Sequence, residues 1–163
     1  MSEAKPPLRE PQDDSDKKIL GDIQRVGWSV LQIDPENKET EPPYSFSLGL
    51  LHTYNHPEII LLGLPHQVAG EMINSIGKLI LLGNQFVPGK PYTDFATVPM
   101  IFVEVDPAHY REYVGYALWL YRRPDFPVLQ CVWPLKSGHY PWDPGYDPRA
   151  AAIQPFLGRR DMN

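Results

Sequence analysis

The chain has 163 residues, 42% of them hydrophobic, and a formal charge of −5, which is the size and apolar content of one domain with its own core. The acidic balance speaks against a nucleic-acid binder, which needs a concentrated basic face, and no apolar run approaches the roughly 20 residues of a membrane helix. Nineteen prolines and 12% aromatics predict a compact fold with many stiff, structured loops.

Residues 1–12, polar and proline-rich, read as a disordered leader with no apolar h-region of a signal peptide. From Asp13, "DDSDKKILGDIQRVG" offers acidic and serine caps, an apolar face of Ile19, Leu20, Ile23 and Val26, and Gly27 as a stop, so a helix is predicted. "WSVLQI" (28–33) reads as a strand and "DPENKETEPP" as a polar hairpin loop. In the next segment Tyr44, Phe46, Leu48 and Leu50 alternate with Ser45, Ser47 and Gly49, the period of a strand with one bulky and one small, polar face. The serines lack nucleophile-elbow glycines; they fit a solvated face or a site of close packing. "EIILLGL" (58–64) is apolar on both faces and is expected to be a central strand, antiparallel to its predecessor.

Pro65 suits the first turn of a helix running to about Leu82, with Val68, Met72, Ile76, Leu79 and Ile80 as its buried stripe. Residues 83–99 carry turn chemistry at Pro88-Gly89, and "MIFVEV" (100–105) reads as a strand. Asp106-Pro107 caps a further predicted helix whose stripe is Tyr110, Tyr113, Val114, Ala117, Leu118 and Tyr121. "PVLQCVW" (127–133) is the last strand; its Cys131, the single cysteine, excludes an internal disulfide and fits a reducing, cytoplasmic location. After Pro134 the prolines forbid a long regular element. The expected architecture is one α+β domain over residues 13–146, a mainly antiparallel sheet of five or more strands covered on one side by two or three helices, with 147–163 as a C-terminal extension.

Taken in order, "GWSVLQI", "YSFSLGLLHTYNHPEIILLGL", "GNQFVPGKPYTDF" and "PVLQCVWPLKSGHYPWDPGY" make up a pattern over residues 20–146. It resembles the bacterial domain-of-unknown-function family 4262 (DUF4262). The family opens on Gly-Trp, has a Tyr-x4-Gly-Leu strand followed by His-Pro-Glu, and carries a Leu-Gln-x2-Trp-Pro segment that ends in Pro-Trp. An acidic residue often follows Trp-Pro there; this chain has Leu135. The resemblance implies a small bacterial α+β domain and brings no activity with it.

Two constellations carry candidate chemistry. In "LLHTYNHPEIILLG" (51–64), His52 and His56 stand four apart with Glu58 two further on. A zinc pair at that spacing needs a helix to put both imidazoles on one face. Asn55 and Pro57 signal a turn instead, so the pair is expected on a loop, with no metal. His56, Pro57 and Glu58 then shape the start of the strand or contact a ligand, and His56 with Glu58 is the acid–base pair of an enzymatic alternative. Cys131, inside an apolar strand, is expected to be inert.

The second constellation is "QCVWPLKSGHYPWDPGY". Gln130 is a polar residue in an apolar strand and needs partners or a cavity. Trp133, Tyr140, Trp142 and Tyr146 follow on proline-stiffened backbone and either cap the core or offer a rigid aromatic surface. The combined expectation is a cleft lined by His56, Glu58, Gln130, Trp133 and Trp142 and bordered by Tyr44. It would take a protein or small-molecule ligand, with no cofactor, nucleic acid or membrane involved. The preferred function is a non-catalytic binding protein, immunity-like or regulatory.

Overall fold

The computed structural model describes residues 8–159; residues 1–7 of the leader lie outside them. Leu8 packs on the core and the Arg9 guanidinium lies 5.8 Å from the Trp119 ring centroid. Helix α1 (Asp14–Val26) starts where the Asp13 carboxylate accepts the Asp16 N–H at 2.8 Å and ends at Gly27, whose φ of 104° is left-handed. That is the predicted helix with an aspartate cap and a glycine stop.

Strands β1 (Ser29–Ile33), β2 (Tyr44–Leu48), β3 (Glu58–Leu62), β4 (Pro91–Tyr92), β5 (Met100–Glu104) and β6 (Val128–Val132) form one sheet in the order β1-β2-β3-β6-β5-β4. Every pairing is antiparallel except β3 with β6. The fold is α+β, as the alternation of elements predicts, and β3 lies inside the sheet beside β2.

The helices cover both faces of the sheet, which corrects the one-sided arrangement. Side chains alternate along a strand, and in β3 both sets are apolar. Ile60 and Leu62 join a layer with α1, α4 (Tyr110–Tyr113) and α5 (Gly115–Tyr121), while Ile59 and Leu61 join a layer under α3 (His66–Leu81). A strand apolar on both faces needs both covered.

Three local readings change. The buried stripe of α3 is Ala69, Ile73, Ile76 and Ile80, whereas Val68 is exposed. The helix predicted after Asp106 is a 3-10 turn (Pro107–His109) followed by α4 and α5, broken at Val114 (φ −125°, ψ 41°). There β-branched Val114 precedes Gly115, two poor helix formers in a row. Between β2 and β3, a five-residue helix α2 (Leu50–Tyr54) replaces the expected loop and carries His52. Ser45 and Ser47 are fully buried, so that face of β2 is one of close packing rather than solvated.

Candidate functional site

Glu58 opens β3 with no exposed surface. Its carboxylate accepts from the Ser47 hydroxyl at 2.7 Å, from the backbone N–H groups of Gly49 (2.9 Å), Leu50 (3.2 Å) and Leu51 (3.4 Å), and from the Tyr121 hydroxyl. Those three N–H groups belong to the start of α2, which has no side-chain cap of its own. Glu58 therefore serves as the missing cap from eight residues downstream. Burial pushes its carboxyl up from the ordinary carboxylate range, and the Tyr121 and Ser47 hydroxyls pull against that. A carboxylate with this many donors has no lone pair left to present to a substrate.

His56, two residues earlier, is also buried. Its Nδ1 lies 2.9 Å from the Pro57 carbonyl oxygen, and its Nε2 accepts the Phe86 N–H at 3.1 Å. That pair of partners assigns the neutral tautomer with the proton on Nδ1. Burial lowers its pKa, against the raising effect of the Pro57 carbonyl. The ring meets Phe86 edge-on in the α3 layer, whereas Glu58 turns to Tyr121 in the α5 layer. The two groups thus face different layers and are not joined as an acid–base pair. Asn55, left-handed at φ 55°, ends α2 before His56, so His52 and His56 do not share a helical face. Among the described residues no group of three His, Cys, Asp or Glu side chains is placed to hold a metal. Cys131 is buried, and burial pushes its thiol well above the usual range.

Gln130 is fully buried in β6, and its partners lie in the C-terminal segment. Its Nε2 donates to the Pro155 carbonyl and its Oε1 accepts the Leu157 N–H, both at 2.8 Å. Gln154 reciprocates: its Oε1 accepts the Trp133 N–H at 3.0 Å and its Nε2 donates to the Trp133 carbonyl at 2.9 Å. The Trp133 indole N–H donates to the Leu62 carbonyl at 2.8 Å. Two glutamines therefore stand in for strand backbone and fasten residues 154–157 along β6, with Leu157 buried in the core.

Trp142 is 37% exposed. Its ring stacks on Tyr140 with planes 2° apart and meets Phe156 edge-on at 6.0 Å. It walls a cleft of about 580 Å3 with Pro88, Gly89, Ile101, Phe102, Val103, Phe156 and Gly158. A second cleft of about 320 Å3 shares Pro88 and continues past Glu104 to Arg159. Of the six predicted site residues only Trp142 lines either one. Tyr44 pairs with Leu62 and Glu58 with Val128, so they mark opposite ends of β3. Tyr44 packs edge-on against Tyr113, and burial raises its hydroxyl to about 12. The predicted convergence is thus dispersed: His56 and Glu58 at one end of β3, Gln130 and Trp133 under the C-terminal segment, Tyr44 beside α4, and Trp142 in the segment after β6, lining a cleft with β5 residues.

The sequence profile of the family described as a domain of unknown function, DUF4262, matches residues 22–147. The chain belongs to the DUF4262 family. No curated protein and no solved structure matches it. The DUF4262 match takes in α1 from Asp22 through β6 and the aromatic segment, and it stops before Gln154, Phe156, Leu157 and Gly158. One wall of the Trp142 cleft therefore comes from the DUF4262 domain and the other from the segment that follows it.

Sequence reasoning missed Ile101, Val103 and Phe156, as well as Tyr121 as the partner of Glu58. A signal existed for the first two. "MIFVEV" is apolar at successive positions, so one set faces away from the Phe102 side and needs its own cover.

Proposed function

We propose that this DUF4262 protein is a binding protein that takes the apolar part of a partner protein or small ligand into the cleft beside Trp142. The observation that carries the reading is the cleft's lining. It is built from Ile101, Phe102, Val103, Trp142, Phe156 and the Pro88-Gly89 turn, with no titratable side chain among them. Such a wall gains by removing apolar surface from water and offers no acid, base or nucleophile of its own. Trp142 is held flat against Tyr140, whose hydroxyl donates to the Pro99 carbonyl at 2.7 Å. It presents contact area with little side-chain freedom to lose. His56 and Glu58, the enzymatic alternative, are each occupied by backbone partners, which favours binding over turnover. The single buried thiol of Cys131 is in keeping with a cytoplasmic protein, and no described helix is long and apolar enough to cross a membrane.

The test uses an environment-sensitive anionic naphthalene dye as probe. Binding is expected to saturate at one site and to be lost in Trp142→Ala and in Val103→Asp, with the melting temperature of Trp142→Ala close to that of the parent. Dye uptake that is absent, or unchanged in both variants, would overturn the assignment of the cleft.

A further inference from the structure

The two edges of the sheet are built differently. The β4 edge is two residues long, contains Pro91, and is continued by the Pro88-Gly89 turn, whose Gly89 N–H donates to the Phe102 carbonyl at 3.0 Å. A short strand with proline blocks further pairing. The opposite edge, β1, is five residues of "SVLQI" without a charge, a proline or a glycine. Its Val30, Leu31 and Ile33 are only partly buried. Among the described residues, no backbone hydrogen bond from a segment other than β2 reaches it. Alternate N–H and C=O groups of β1 thus point outward along an uncharged, apolar strand.

Helix α3 runs lengthwise beside that edge. A Cβ on Gly70 would lie 3.2 Å from the Gln32 amide nitrogen, and one on Gly77 would lie 2.5 Å from the Trp28 ring, whose indole N–H donates to Asn74 at 2.9 Å. These spacings define one helical row, Gln67, Gly70, Asn74, Gly77 and Leu81. The row is uncharged; the chain's own Trp28 covers buried Gly77 and its Gln32 lies against Gly70, while Leu81 at the end of the row is 58% exposed.

We infer that β1 pairs antiparallel with the β1 of a second copy of this chain, joining two six-stranded sheets into one and setting the two α3 rows side by side. A strand paired with itself antiparallel is self-complementary about a twofold axis: each outward N–H finds the C=O of the equivalent residue set. Leu31 is the middle residue of β1, and with no charge on the strand no like charges face each other across the axis. The occupant is a second copy rather than a lone peptide strand because five paired residues fall well short of the roughly 1,200–2,000 Å2 of a specific interface. Only a partner that brings its own helix beside its strand also covers Leu81. Each copy carries a charge of −5, so long-range repulsion opposes the pairing and added salt strengthens it.

Sedimentation equilibrium of the full chain is expected to give twice the chain mass, more completely at higher salt. In hydrogen exchange, the amides of residues 29–33 are expected to slow as concentration rises, and that of Tyr92 is not. Leu81→Lys, on an exposed helix end and harmless to the fold, should weaken the dimer by about tenfold or more; Leu31→Lys should abolish it. If Leu31→Lys does not fold, Leu81→Lys and the exchange of residues 29–33 decide. A monomer at millimolar concentration overturns the inference, and so does a dimer that Leu81→Lys leaves intact while β1 exchange ignores concentration.

Discussion

His56 shows what a buried titratable side chain does when backbone takes both of its nitrogens. Its Nε2 accepts from Phe86 and Nδ1 meets the Pro57 carbonyl, so a second proton has no acceptor and the charged form is disfavoured by burial. The folded pKa lies below the ordinary 6.5, so in acid the unfolded chain binds the proton that folded His56 refuses. By linkage, the contribution of His56 to stability is full above about 6.5 and declines as pH falls from there towards the lowered folded value. Glu58 acts in the opposite sense: burial raises its folded pKa from 4.5, so its ionisation weakens the fold as pH rises from there towards the raised folded value. The Glu58 contribution is common to the parent and to His56→Gln, whose amide oxygen can accept from Phe86, so going from pH 7.5 to pH 5 the melting temperature of the parent should fall relative to that of His56→Gln. Equal slopes in the two proteins would remove His56 as the source.

At the scale of elements, β3 is the member on which both layers depend. Ile59, Ile60, Leu61 and Leu62 have no exposed surface, and the strand is flanked by β2 and β6. Leu62→Ala is expected to cost roughly 2–5 kcal/mol of unfolding free energy, the range for large-to-small core changes. Denaturant titration showing under about half a kcal/mol would contradict that range and the placement of the strand. The short helix α2 illustrates the opposite case. Five residues cannot hold a helix alone. α2 exists between left-handed Gly49 and Asn55 because the Glu58 carboxylate gathers its first N–H groups.

Over the whole molecule, the segment after the DUF4262 match completes the domain's core. Gln154 and Leu157 are buried, and Gln130 finds both its partners there. Gly63 packs so close that a Cβ would lie 2.3 Å from the Ile153 carbonyl oxygen. A chain ending at Asp147 would expose the Leu157 site and leave the buried Gln130 amide unpaired. Summing burial of one leucine with an unsatisfied buried amide gives an expected loss of about 2.5–6 kcal/mol. The same truncation removes Phe156 and Gly158 from the cleft, so dye binding beside Trp142 should fail with it. A truncated protein of unchanged stability that still binds the probe would separate the segment from both roles.

Periodicity and punctuation in the chain determined the class of fold. The alternation in 44–50, the two-sided apolar run of 58–62, the Asp13 cap and Gly27 stop are local signals, and each acts within a few residues of itself. They placed β2, β3, β6, α1 and α3 and required Gln130 to be paired. Tertiary structure alone decided which partners satisfied the polar groups. Glu58 caps a helix that no propensity predicts and meets Tyr121 sixty-three positions away. Gln130 bonds a segment twenty-five residues on, beyond a proline-rich stretch without regular structure. His56, Glu58, Gln130 and Trp142 are close to motif-like in sequence, yet the fold sends them to different layers, and of the four only Trp142 lines either of the two clefts described above. A sequence states that a buried polar group must be paired, because leaving it unpaired is costly; it does not state with what, because the partner is chosen by segments that approach only when the sheet closes.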